Sequence, residues 1–198
     1  MSVLVFNRWS TDGITIDDPG LKGYINIEPR VIPRTGGKNA KFRFYKGNVF
    51  IIERLMNKMM ACGHRAKKHK ISSGHITGKA NTVYNITEDA LGIIEKKTGK
   101  NPIAVVVKAV ENAAPREEIV TIEYGGAKYP KAVEVAPQRR IDQALKYMSQ
   151  TAYQKAFNSK KAISSAIADE IIAAFNLSQQ SGAIAKKLEL ERQADSSR

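Results

Sequence analysis

The chain has 198 residues, with 32 Lys and Arg against 19 Asp and Glu for a formal net charge of +13, and it is 42% hydrophobic and 26% charged. That length buries a core without disulfide or metal staples, and the composition excludes wholesale disorder, collagen-like sequence and low-complexity repeats. No apolar run approaches the roughly 18 residues of a bilayer span, residues 3–6 are too short for a signal-peptide core, and the lone Cys62 forms no internal disulfide, so a cytoplasmic protein with a polyanionic partner is expected.

Residues 1–47 are read as an extended basic N-terminal arm. Gly13, Pro19, Gly20, Gly23, Pro29, Pro33, Gly36 and Gly37 punctuate it, no 3.6-residue period is sustained, and there is room for one short strand. The arm carries Arg30, Arg34, Lys38, Lys41, Arg43 and Lys46. Between Lys22 and Lys79 fourteen Lys and Arg face only Glu28 and Glu53, so +12 of the net charge sits in this region. Cations this dense repel one another unless an external anion neutralises them. The alternation Lys41-Phe42-Arg43-Phe44-Tyr45-Lys46 suits stacking of bases with pairing of phosphates, and equally suits rings packed back on the core. Thr35-Gly36-Gly37-Lys38 is not a phosphate-binding loop, because Ile32 stands where its first glycine belongs and Asn39 replaces the magnesium-binding hydroxyl.

Residues 48–198 are read as a helical bundle. From Asn48 the spacing of Val49, Ile52, Leu55, Met56 and Met59 predicts a helix that stops near Gly63. A basic loop follows with Arg65, Lys67, Lys68 and Lys70, then Gly78 and Lys79. A second helix over 80–98 places Val83, Ile86, Ala90 and Ile94 on one stripe, with Gly99 at its end. Asn101 and Pro102 are the N-cap and first position of a third helix through Ala113, closed by Pro115. At about 118–136 one β-hairpin is expected: Val120, Ile122 and Tyr124 alternate, Val133 and Val135 answer them, and residues 125–130 turn. Val120, Ile122, Val133 and Val135 should anchor its base, while Gly125, Gly126, Ala127, Lys128, Tyr129 and Lys131 form a tip able to reach a nucleic-acid groove or a single strand. A fourth helix over 138–152 opens with Arg139 and Arg140 and turns Ile141, Leu145, Met148 and Ala152 inward. A fifth takes Ser159 as N-cap, close to Lys160 and Lys161. The last, 183–194, has only Ile184, Leu188 and Leu190 as anchors.

Cys62, His64, His69 and His75 lie within one stretch but lack the paired Cys-x₂-Cys of a structural zinc site, so no metal or other cofactor is expected. No nucleophile elbow or His-Glu-x-x-His occurs, and the acids lie mostly on helix faces beside Lys or Arg, which argues against an enzyme.

Several blocks carry a resemblance. RWSTDGITIDDPGLKGYIN at 8–26, IERLMN at 52–57, KTGKNP at 97–102, GGAKYP at 125–130 and VEVAPQRR at 133–140, together with residues 159–177 and 183–198, resemble the small-subunit ribosomal protein family S-seven, S-five in eukaryotic naming, in its archaeal form. The long arm and the insertion at 64–78 are similar to the archaeal and eukaryotic branch. The resemblance implies a mainly α fold of about six helices with one protruding two-stranded β-ribbon. It implies binding to the three-prime domain of small-subunit ribosomal RNA, nucleation of the subunit head, and a ribbon tip near the exit site beside messenger RNA and outgoing transfer RNA. Ribosomal protein S-eleven is the neighbour it implies there. The arm from Lys38 to Lys46 with Lys79, and Arg139 with Arg140, match the family's RNA-facing regions. A general nucleic-acid binder outside the ribosome, or a transcript-level regulator, is the alternative; a metal-dependent nuclease using Cys62 and the histidines is a third.

Overall fold

Helix α3 (Pro102–Ala113) is the axis of the fold. Ile103, Val105, Val106, Val107, Ala109 and Val110 are all buried, and a helix apolar on every side but the stripe of Ala104, Lys108 and Asn112 has to be enclosed on those sides by others. Helices α2 (Ala80–Thr98), α4 (Pro137–Ala156), α5 (Ile163–Phe175) and α6 (Gly182–Asp195) pack against it. The computed structural model describes residues 3–38, 40–63 and 78–198.

Local chemistry sets the ends of α2 and α3 where the sequence places them. Gly99 takes the left-handed conformation (φ +64°) and returns its N–H to the Glu95 carbonyl at 2.8 Å. The Asn101 side chain accepts from the Ile103 N–H at 3.0 Å, and Pro102 has no N–H to leave unsatisfied. Helix α1 (Ile51–Met59) is shorter than its apolar spacing predicts. A 3₁₀ turn (Tyr45–Asn48) precedes it, and Phe50 stays extended because its neighbour Ile51 donates to the Asn26 carbonyl at 3.0 Å. Ser159 is not the cap of α5. Its hydroxyl donates back to the Lys155 carbonyl at 3.0 Å, finishing an α4 that runs four residues past Ala152, and α5 opens after Ala162.

The ribbon is formed by β1 (Glu117–Tyr124) and β2 (Ala127–Glu134), antiparallel and closed by the pair Tyr124 and Ala127. Gly125 and Gly126 at φ +56° and +81° make the two-residue turn that requires positive φ at both positions. The turn is therefore shorter than expected, with 127–130 in the strand. The expected anchoring is also corrected: Val135 is buried, but Val120 and Ile122 are exposed, as is every residue from 120 to 131. Helix α6 covers only the base of the ribbon, and beyond Ile119 nothing among the described residues lies over either face.

Much of the N-terminal arm is a strap on the bundle. Val5, Phe6, Trp9, Leu21 and Ile25 are buried in the common core, with the Phe6 ring 4.8 Å from that of Tyr84. Buried Glu111 of α3 accepts the Asp17 N–H at 2.7 Å, Arg140 of α4 holds Asp18 at 2.7 Å, and Asn101 donates to the Ser10 carbonyl at 2.6 Å. Among the described residues the arm forms isolated bridges, Val5 with Trp9 and Asn26 with Phe50, and no strand. A second polar lock joins the C-terminal helices. Glu170, wholly buried, accepts from Lys155 Nζ and Ser181 Oγ at 2.7 Å each and from the Ala183 N–H at 3.1 Å, while Ser181 caps α6. Of the anchors expected for α6, Ile184 is buried but Leu188 is 46% exposed; Ala183 and Ala194 help Ile184 hold the helix.

Candidate nucleic-acid interface

Where the arm, α1 and α4 meet, three cations converge on one carboxylate. Lys46 Nζ lies 2.9 Å from Asp142 Oδ2, and Arg54 Nη2 and Lys58 Nζ each lie 3.5 Å from Oδ1. Arg54 is buried and also donates to the Tyr24 carbonyl at 3.1 Å. Burial pushes the Asp142 carboxyl up, but the Lys46 hydrogen bond and the charges of Lys58, Lys46 and Arg54 outweigh it and hold the group below the usual carboxylate range. Burial in turn lowers Arg54, with Asp142 opposing. Three positive charges against one negative leave the cluster at +2. On α4, exposed Lys146 stands four residues after Asp142 and extends the same cationic face, while Arg139, three before it, has its charge met by Glu118.

The arm enters this cluster through Lys46. Among the described residues Arg30, Lys38, Lys41 and Arg43 have no ion pair within 4.0 Å. Phe42 and Phe44 are 70% and 68% exposed, so these two rings of the alternating segment are not core, whereas Tyr45 is half-buried. The Arg43 guanidinium sits 5.0 Å from the Phe44 ring. Arg34 donates to Asn81 at 2.5 Å, and Lys79 occupies the N-cap of α2, whose first turn has no acid. A cation at that end opposes the helix dipole unless an anion is nearby. Cations without internal partners beside solvent-facing rings are the chemistry of a surface for phosphates and bases. Among the described residues no group of three His, Cys, Asp or Glu could hold a metal ion, and no helix is long and apolar enough to cross a membrane.

A family model described as ribosomal protein S7p/S5e matches residues 21–198. The chain belongs to this family. Small ribosomal subunit protein uS7 of Nanoarchaeum equitans (strain Kin4-M) is 50% identical over 198 residues, covering 100% of both chains. Its counterpart in Archaeoglobus fulgidus is 46% identical over 196 residues, 99% of this chain and 95% of that one. That of Methanothrix thermoacetophila is 43% identical over 194 residues, 98% and 99% of the two chains. S7p/S5e is a family of structural proteins of the small ribosomal subunit and not an enzyme family; ribosomal RNA binding and a role in translation follow from membership.

In this S7p/S5e chain the residues expected to bind RNA do not all lie together. Lys46 lies on Asp142, and Arg139 is on the same side of α4 but forks onto Glu118 at 2.8 and 2.9 Å. Arg140 is buried, its guanidinium engaged by Asp18 and, at 3.2 Å, by the Pro115 carbonyl, so its charge serves the strap. Lys160 and Lys161 follow the far end of α4, which lies about 25 Å along that helix from Arg139. Lys161 pairs with Asp169, which also takes Lys97 at 2.6 Å. Arg65, Lys67, Lys68 and Lys70, and His64, His69 and His75, lie outside the described residues. Arg54, Lys58 and Lys146 were not singled out from the sequence. Helical spacing links them in pairs, Lys58 four residues after Arg54 and Lys146 four after Asp142, but nothing local joins the two helices.

Proposed function

We propose that the chain binds the three-prime domain of small-subunit ribosomal RNA where several RNA helices converge, and nucleates assembly of the subunit head. The observation that carries this reading is the +2 cluster of Lys46, Arg54 and Lys58 on Asp142, which the arm with its unpaired cations enters through Lys46. It joins the 3₁₀ turn, α1 and α4 through one carboxylate, so its charges are held close together and suit phosphates that converge. Counterion release supplies most of the affinity, and shape supplies the specificity. The exposed rings of Phe42 and Phe44 suit unpaired bases at the junction. The ribbon extends to the exit site beside messenger RNA and outgoing transfer RNA, with ribosomal protein S-eleven as its neighbour; its exposed tip with Lys128, Tyr129 and Lys131 supports this role.

The test is a salt titration of the intact chain against a three-prime-domain RNA fragment and a scrambled RNA of equal length. A preference for the ribosomal fragment that persists as salt rises is the expected result. Equal affinities that collapse in parallel would refute junction recognition and favour a general nucleic-acid binder.

A further inference from the structure

The register of the ribbon sorts its side chains onto two faces of different chemistry. Val120 with Lys131, Ile122 with Tyr129, and Tyr124 with Ala127 are opposed pairs, and they share one face because successive residues of a strand alternate sides. That face holds four large side chains in the open: Val120, Ile122, Tyr124 and Tyr129 are 42%, 47%, 82% and 58% exposed. Its one carboxylate, Glu118 at the base, is already neutralised by the Arg139 fork, which leaves Lys131 as its uncompensated charge.

The other face sets Glu117 against Glu134 and Glu123 against Lys128. Even with Arg198 held on Glu117 at 2.6 Å, its three carboxylates outnumber its cations. A polyanion is therefore drawn to the first face and repelled by the second. An apolar face alone would suit a protein partner as well. Two open tyrosine rings flanked by a free lysine, with no free acid among them, favour nucleic acid.

We infer that the ribbon is one-sided: single-stranded RNA lies along the face of Val120, Ile122 and Tyr124, with unpaired bases stacked on Tyr124 and Tyr129 and a phosphate at Lys131. This rests on the proposed exit-site role of the ribbon and names the side that performs it. The acidic face turns away from the RNA.

A benzophenone side chain at position 122 or at position 121 tests it, since these exposed neighbours point to opposite faces. In small subunits assembled with messenger RNA and transfer RNA, position 122 should give RNA adducts several-fold above position 121. Equal yields, or more from 121, overturn the sidedness and leave the exit-site role standing. Protein adducts in place of RNA from 122 overturn the RNA occupant. Assembled subunits with no RNA adduct from either position overturn the exit-site role as well. Replacing Tyr124 and Tyr129 with Ala should weaken messenger RNA retention at least about fivefold, and Phe at both should restore it. Failure of Phe to restore it would overturn stacking.

Discussion

Gly182→Ala tests the packing at the start of α6, where two physical effects predict opposite signs. Helix propensity alone favours Ala over Gly by up to about 1 kcal/mol. The space does not allow it: a Cβ on Gly182 would stand 2.4 Å from Thr151 Oγ1 and 2.7 Å from its Cγ2. Neither side can yield easily. Thr151 is β-branched within α4 and stiff at χ1, and α6 cannot slide because Ser181 is wholly buried, bonded to Glu170 and capping Ile184. Overpacking of this kind costs about 1–3 kcal/mol. With a urea m-value of about 2 kcal/mol/M, the unfolding midpoint should fall by roughly 0.5–1.5 M. Thr151→Ala removes the two nearest atoms and leaves only the Cβ, at 3.1 Å, so the double variant should recover most of the loss. The cycle should show a coupling of about 1 kcal/mol or more. A Gly182→Ala variant as stable as the parent, or one that Thr151→Ala does not rescue, would refute the reasoning.

The carboxyls of Asp142 and Asp18 are both held below the usual range: burial pushes each up, and the cations around Asp142 and the Arg140 bond on Asp18 prevail. Because the folded-state values are depressed, the stabilisation is complete above about pH 4 and is lost as pH falls through them. Asp142→Asn should accordingly lower the melting temperature at neutral pH and flatten the acid limb of its pH profile; an unchanged limb would show that the cluster is not what acid unfolds. Glu170→Gln keeps the size of the side chain but loses the charge-assisted bond to Lys155, and should cost about 2 kcal/mol, seen as a melting temperature roughly 4–8 °C lower. Arg198→Ala leaves Glu117 facing Glu134 without its counterion, so backbone amides at the base of the ribbon should exchange faster with deuterium, while those of α3 keep their protection.

The helices were legible where their signals are local. Asn101, Pro102 and Gly99 act on backbone groups a few residues away, so α2 and α3 begin and end where the sequence places them. Ser159 misleads for a related reason: a hydroxyl at a helix boundary can cap the next helix or bond back to the last carbonyls of the previous one, and only the path of the chain decides. Alternation in Val120, Ile122 and Tyr124 correctly told which residues share a face, but a period carries no information about what, if anything, lies over that face. Val5, Phe6, Trp9, Leu21 and Ile25 follow no period at all, so their burial was invisible. The candidate interface was legible by residue type. Its fine sorting was not, because the Asp18 that engages Arg140 lies 122 residues away in sequence and no short pattern connects them.

The strap also carries a consequence for the order in which the molecule takes shape during synthesis. Its fastenings reach from Ser10 to Asn101, from Asp17 to Glu111 and from Asp18 to Arg140, so none can close until at least half of the chain has been made. At translation rates of about 5–20 residues per second, that is a wait on the order of ten seconds. The segment made first is thus fastened late. Substitutions in α3 or α4 at Glu111 or Arg140 should therefore delay the burial of Trp9 at the opposite end of the chain, while leaving the local winding of their own helices nearly untouched.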